Sequence, residues 1–438
     1  MKLYLNNIGM LEEAEVTLKP LSIIAGENDN GKSTVGKIVF CLVKAINRYK
    51  EDLNESREYR VSEKFKELLF LLVMAAEDQG AKLPRELIEQ IGSLNNFVKK
   101  ITTNPSADIN NALNIKEIVH NLFDGIDDNE HKDKATKILF DINEIIASPE
   151  NKIEAIKNAF NKVFASEFDA SLLLQGADRG SIKLVKDDGV LVHLEVDRDN
   201  TVKLVGDVSL ITLKDATFID TPLIFNYHDL LLRSRTLLDI EERTPNRLGI
   251  PYTTLHTKDL FDKLIEPTLD ELLSESDKTL LNEIEAEMEG KITYSKESKD
   301  FLFERDKQSI SIKNTASGIK TFGLLHKLVA NKFATKDTVI IFDEPENHLH
   351  PKWQLKLAQL LVELAKNKIY VMVSSHSPYM IEALKRYAEL ADLDEQTAFY
   401  LAEERRIENK DRLSDIFAVL AEPFEIFRQM DAEILKGE

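Results

Sequence analysis

The chain has 438 residues, with 57 Lys and Arg against 76 Asp and Glu, for a formal net charge of −19. That length holds two or three ordinary domains, or one domain with large insertions. At 43% hydrophobic and 30% charged residues the composition excludes the apolar-poor balance of a disordered chain. The acidic excess argues against wholesale coating of nucleic acid, which Lys and Arg drive, and leaves room only for a local basic groove. The longest apolar run, Leu68 to Ala76, is about half of the roughly 18 to 20 residues that a membrane span needs. Met1 to Asn7 lack the basic and apolar regions of a signal peptide. The single cysteine, Cys41, permits neither an internal disulfide nor a Cys-based metal cluster. A cytosolic location and no membrane partner are expected.

Between Leu3 and Leu21 apolar positions alternate with polar ones (Ala14, Val16 and Leu18 against Glu13, Glu15 and Thr17), which predicts short strands. Leu21 to Ala25 reads as a buried strand and runs at once into Gly26-Glu-Asn28-Asp-Asn30-Gly31-Lys32-Ser33-Thr34. This is G-x-x-x-x-G-K-[ST] in its strand, loop and helix context. Gly26 and Gly31 let the loop aim its N–H groups inward, Lys32 reaches the β- and γ-phosphates, and the Ser33 hydroxyl ligates Mg²⁺. The helix that follows adds its positive end to the same phosphates. The segment is predicted to bind a nucleoside triphosphate.

From about residue 50 to 168 apolar residues recur at helical spacing (Phe65, Leu68, Leu69, Leu72; Ile115, Ile118, Val119, Leu122), predicting a helical insertion. Next, Ser181–Lys186, Val190–Val196 and Thr201–Val205, separated by Asp/Asn turns, predict an antiparallel meander. A strand is expected over Ala216–Phe225, broken by Pro222, and two helices or a helical hairpin over Asp259–Glu289. His193, alone on an alternating strand, reads as a packed or surface residue. A hairpin follows (Lys291–Tyr294, Phe301–Glu304, Ile310–Ile312). Ser317-Gly318 then opens an amphipathic helix, whose N-terminus suits phosphate oxygens.

Thr338–Phe342 ends in Asp343-Glu344-Pro345, two carboxylates at the C-terminal edge of a buried strand, where ligand sites of α/β folds lie. There Asp343 can order a Mg²⁺ shell and Glu344 can polarise a water. Lys368–Val373 leads into Ser374-Ser375-His376-Ser377-Pro378, placing His376 at the end of another strand, within reach of a γ-phosphate. His348 and His350 stand beside Glu346, but residues i and i+2 share no helix face. A turn and helix start around Pro351 explains them better than a metal.

This ordered set resembles the ABC-type ATPases, in the branch that holds the SMC proteins, RecF, the zinc-hook repair ATPases and the OLD family. The likeness spans roughly residues 1–50 and 181–438. It implies an α/β ATPase head, with a mixed sheet, an antiparallel meander and a helical lobe, carrying a large α-helical insertion. Gly26 to Thr34 match the Walker A loop, with Gly26, Asn28, Asn30, Gly31, Lys32, Ser33 and Thr34 expected on the nucleotide. Ser317 and Gly318 match the signature motif, Phe342 to Glu344 the end of Walker B, and His376 the switch histidine. The resemblance thus implies ATP and Mg²⁺ as cofactors, Ser33 and Asp343 as metal ligands, Glu344, His376 and Lys32 as catalytic groups, and an ATP-sandwiched homodimer or a multiple of one. The corresponding segments are 1–50, 51–168, 169–258, 259–290 and 291–438.

Two departures, Thr315-Ala-Ser-Gly-Ile-Lys320 without a second glycine and Glu346-Asn-His-Leu-His-Pro351 in place of a Ser-Ala-Leu-Asp segment, look like the OLD-like branch. The Q-loop is left open between Gln175 and Asp220-Thr221-Pro222. A zinc hook would need a long arm with Cys-x-x-Cys, which one cysteine cannot supply, and the 62 residues after His376 leave little for a TOPRIM domain. The chain therefore resembles the ATPase subunits of two-gene bacterial anti-phage systems, in which the effector is a separate nuclease, TOPRIM in PARIS and HNH in Septu, and a phage protein is the trigger. The alternative is a RecF/SMC-like DNA-binding clamp in repair. It would need a groove of Arg233, Arg235, Arg243 and Arg247, or of Arg405 and Arg406, which read first as surface ion-pair residues.

Overall fold

The computed structural model describes residues 1–48, 152–169, 171–187, 189–209, 211–234, 236, 252–268, 273–409, 413–420 and 426–430, together with scattered helical positions between 64 and 145. Most of the expected helical insertion, and Arg235, Arg243 and Arg247, lie outside the described residues. The chain divides into two units, Arg48–Asn158 and the combination of Met1–Asn47 with Ala159–Glu438. In the first, the described positions between 64 and 145 are helical. There Lys64 pairs with Glu67 at 3.0 Å and Asp141 at 3.1 Å.

The second unit begins with a hairpin of β1 (Lys2–Ile8) and β2 (Leu11–Thr17), and continues into β3 (Leu21–Ala25) and helix α1 (residues 32–48). Helix α2 (Lys152–Phe168) leads into the meander β4 (Arg179–Lys186), β5 (Gly189–Asp197) and β6 (Val202–Leu204). Strand β7 (Asp215–Ile219) is shorter than the strand expected over Ala216–Phe225. Thr221 accepts from Leu223 N at 3.2 Å and caps a 3₁₀ turn, Pro222–Tyr227, whose first residue has no N–H to give to a ladder. Helices α3 (Leu255–Ile265) and α4 (Glu275–Met288) follow, α4 opened by a capping box between Ser274 and Asp277.

Strands β8 (Lys291–Ser295), β9 (Asp300–Arg305) and β10 (Gln308–Ser311) form a three-stranded sheet of their own. Then come α5 (Ser317–Ala330), β11 (Thr338–Asp343), α6 (Pro351–Lys366), β12 (Tyr370–Ser375) and α7 (Pro378–Leu390). The last elements are β13 (Thr397–Glu403), β14 (Arg406–Asn409) and α8 (Leu413–Leu420). β14, four residues long, has no counterpart in the sequence reading.

Eleven strands make one mixed sheet in the order β6-β5-β4-β1-β2-β14-β13-β3-β12-β11-β7. From β13 to β7 every pairing is parallel, whereas the meander side is mainly antiparallel. The parallel strands are buried on both faces, as helices on each side require, and their β-branched runs reflect this. Leu21, Ile23, Ile340, Phe342, Val371 and Val373 enter one core with α5, α6 and α7. The alternate residues face α1. Gly36 permits this approach, since a Cβ there would lie 2.8 Å from Ile341 and 2.9 Å from Phe218. This is a mixed α/β architecture, one large sheet covered by helices. The pleat has a consequence for the site: Asp343 and Ser374 share the α1 face with Ile341, so both polar groups point at the start of α1.

Candidate nucleotide site

The loop Gly26 to Ser33 leaves the C-terminal end of β3, with β12 and β11 next in the sheet. Gly26 has φ +149°, and a Cβ there would come within 2.3 Å of the Ala402 carbonyl. Gly31 has φ +78°, with Leu11 only 2.5 Å from the position of a Cβ. Gly26 is thus imposed by a close backbone approach and Gly31 by the Leu11 side chain, and both also by their positive φ. Lys32 is buried, its Nζ donating to Glu27 O at 2.7 Å and standing 3.6 Å from Glu344 Oε1.

Ser33 Oγ donates to Asp343 Oδ1 at 2.9 Å, and the same oxygen accepts from Ser374 Oγ. Burial pushes the Asp343 carboxyl above its usual range, against the pull of the two serine hydroxyls. An adjacent hydroxyl and carboxylate are hard oxygen donors of the kind that Mg²⁺ takes with phosphate oxygens. Among the described residues no group of three or more His, Cys, Asp or Glu forms a metal cage. A site completed by substrate phosphates fits that.

Glu344, the residue after β11, turns out of the strand at φ +49°, its N–H donating to Ser374 O at 2.9 Å. Burial would raise its carboxyl, but the hydrogen bond from Asn347 (3.1 Å) and the nearby His376 and Lys32 outweigh that and hold it below its usual value. His376 Nδ1 lies 3.3 Å from Glu344 Oε1. Lys32, Ser33, Asp343, Glu344 and His376, drawn from positions more than 340 residues apart, therefore stand together at one sheet edge.

Ser317 and Gly318 open α5, but no hydrogen bond or ion pair given for the described residues joins them to that cluster. Gly318 has its own packing reason, for a Cβ would sit 3.1 Å from Trp353, whose ring meets Phe322 edge-on. His350 caps α6, accepting from Lys352 N at 3.2 Å, and His348 takes a left-handed turn position at φ +64°.

Two features went unread in the sequence. Glu346 is buried and bonds to the His376 loop. Beside the Ser33–Asp343 edge lies a second acid–base cluster. Asp220, the residue after β7, stands 3.2 Å from His256 Nε2, and Glu167 of α2 stands 2.6 Å from His256 Nδ1. Lys37, one turn beyond Ser33 on α1, reaches Glu167 at 3.6 Å. Burial opposes charge on His256, yet its two carboxylate neighbours win and push it up to about 9. Asp220, favoured in the buried state by His256, is held below its usual range despite its own burial. The β7–β11 register, Ile219 opposite Phe342, puts Asp220 beside Asp343.

The family model of AAA_15, described as an AAA ATPase domain, matches residues 250–381, a stretch that contains the Ser-Gly helix start, Asp343, Glu344 and His376. The match leaves the Gly26–Thr34 loop outside it. No curated protein matches it. Among solved structures it is similar to an SMC head domain from Thermotoga maritima, at 11% identity and a TM-score of 0.36, covering 93% of this chain and 97% of that one. An SMC head from Pyrococcus furiosus, with an extended coiled coil and bound to the C-terminal domain of ScpA, gives 12% identity, a TM-score of 0.39 and coverage of 96% and 98%. The ADP conformation of the ATP-binding cassette of an ABC transporter gives 11% identity, a TM-score of 0.33 and full coverage of both chains. The geometry above, not these likenesses, carries the functional reading.

Proposed function

We propose that the chain binds ATP with Mg²⁺ on the Gly26–Thr34 loop and hydrolyses it between two copies. The observation that supports this most strongly is the convergence of Lys32, the Ser33–Asp343 pair and the Glu344–His376 pair at adjacent strand ends. Lys32 exchanges its contact with Glu344 for the phosphates. Ser33 and Asp343 would hold Mg²⁺, which when bound supplies neutralisation of the β- and γ-phosphate charge. Glu344, kept ionised by Asn347, His376 and Lys32, accepts the proton of the attacking water. His376 is placed to donate to the γ-phosphate. Ser317 and Gly318, which stand apart from this cluster, close over the nucleotide of the second copy.

Beyond hydrolysis, the motif variants at Thr315–Lys320 and Glu346–Pro351 support the OLD-like branch, and with it the role of cytoplasmic sensor and scaffold in an anti-phage system that controls a separate nuclease. The −19 charge suits protein partners better than a nucleic-acid track. The cleft at the described Arg406 holds Glu13, Glu15 and Glu408 against Lys2 and Arg406 itself, a balance that disfavours a phosphate groove there. Glu344→Gln is the test of the chemistry: ATP binding is retained while hydrolysis falls at least about a hundredfold, and unchanged turnover sinks the assignment. For the biology, phage plating on cells carrying the chain with its neighbouring gene should lose protection in Lys32→Ala. A steeply salt-dependent affinity for duplex DNA would favour the clamp instead.

A further inference from the structure

Glu346 is a buried carboxylate that the hydrolysis scheme leaves without a task. Its side chain is 3% exposed, and a carboxylate taken out of water is costly unless hydrogen bonds replace the solvent. One oxygen, Oε1, accepts three: from Ser375 Oγ at 2.7 Å, His376 N at 2.8 Å and Ser377 N at 3.2 Å. These groups lie at the start of α7, a 13-residue helix capped by Ser377, so the carboxylate also meets the helix's positive end. Ser377 Oγ donates to Gln354 Oε1 at 2.7 Å, and Gln354 Nε2 to Leu349 O at 3.1 Å. Leu349 N returns to Glu346 O at 2.9 Å. The loop after β11 and the loop after β12 are therefore one hydrogen-bonded body, with Glu346 at its centre.

The same oxygen faces the imidazole. His376 Nδ1 is buried without a hydrogen bond, 3.4 Å from Glu346 Oε1 and 3.3 Å from Glu344 Oε1. The side chain as a whole is 37% exposed, so its accessible edge is the one that bears Nε2. A lone pair on Nδ1 would confront two carboxylate oxygens, whereas an N–H there is attracted to both. We propose that Glu346 is a positioning residue for His376: it anchors the backbone from which the ring projects and keeps the proton on Nδ1, so that Nε2 is the nitrogen presented to the nucleotide. This rests on the ATPase reading for its catalytic meaning, but not for its geometry.

The test uses the full chain labelled with ¹⁵N at histidine, His376 being assigned by its loss in His376→Ala. Long-range ¹⁵N–¹H spectra should show wild-type His376 protonated at Nδ1, and Glu346→Gln, which can still accept the three hydrogen bonds, should move it toward the other tautomer. In parallel, Glu346→Gln should lower kcat by about tenfold, the order seen for lost partners of a functional histidine, with KM within about twofold. Added to His376→Ala it should cause no further loss. A merely structural role would move KM and stability together and add to His376→Ala. An Nε2-protonated His376 in the wild type, or a Glu346→Gln variant with unchanged tautomer and kcat, overturns the proposal. Should that variant fold poorly, Ser375→Ala removes one leg of the clamp: a His376 spectrum shifted toward the other tautomer supports the proposal, and an unmoved spectrum with unchanged kcat overturns it. The spectra decide the point even if Mg-ATP is not turned over, an outcome that would sink the ATPase reading alone.

Discussion

His256→Gln removes the one imidazole that bridges Asp220 and Glu167 and keeps a side chain of similar reach. In the folded chain His256 titrates at about 9, against 6.5 in the absence of neighbours. Burial pulls it down and the two carboxylates more than compensate. A native value raised above the unfolded one stabilises the fold in full below pH 6.5, and the contribution disappears as the pH climbs through about 9. The difference of about 2.5 pH units, at about 1.4 kcal/mol each, comes to about 3.5 kcal/mol in all, of which about 3 is present at pH 6. Asp220, depressed by the same contact, reports the same energy from the other side and is counted once. Urea unfolding of wild type and variant, followed by Trp353 fluorescence at pH 6 and pH 10, should show a stability gap that shrinks by about 3 kcal/mol across that range. A gap independent of pH would mean that His256 is neutral in the native chain and that the cluster is held by hydrogen bonding alone.

Three other outcomes follow from the geometry. Ser317→Arg and Lys32→Ala should each be inactive alone and partly restore ATP turnover when subunits are exchanged, since one composite site is rebuilt; mixtures without activity would count against closure in trans. Gly26→Ala should weaken ATP binding by at least about tenfold, or 1.4 kcal/mol, in titrations with a fluorescent analogue, because the new Cβ lands 2.3 Å from Ala402 O. Lys263→Met should cost about 3 to 5 kcal/mol in unfolding experiments: Lys263 lies 2.7 Å from Asp215 and 2.9 Å from Asp259, and Lys44 alone would be left against both. The exposed pair Lys214–Asp337 provides the contrast, where Lys214→Met should cost no more than about 1 kcal/mol.

The Gly26–Ser33 loop and the acidic strand end were legible because their signals are local. Gly26, Gly31, Lys32 and Ser33 lie within eight consecutive positions, and β11 announces itself as a β-branched run that stops at a carboxylate. The hairpin, the meander and the order of the later helices follow from periodicity in the same way. What was hidden depends on pairs far apart in the chain. His256 meets Glu167 across 89 positions and Asp220 across 36, and none of the three stands in a pattern that distinguishes it from a surface residue. Glu346 looked like half of a weak metal motif because two of its three partners are backbone N–H groups, which every residue has. β14 is too short and too exposed to show alternation. The strand over Ala216–Phe225 was overextended because Thr221 and Pro222 end it through a cap, a local signal that the apolar residues on either side outweighed.

The central place of β3 has a further consequence during synthesis. β3 ends at Ala25, yet both of its sheet neighbours, β12 (Tyr370–Ser375) and β13 (Thr397–Glu403), are made more than 340 residues later. At roughly 5 to 20 residues per second, a ribosome needs roughly 20 to 70 s to bridge that interval. Throughout it, five apolar-rich residues with two unpaired edges must be kept from other chains. The Gly26–Ser33 loop has no second wall until β12 has emerged. A polypeptide released before that point is thus unable to bring Lys32 and His376 together.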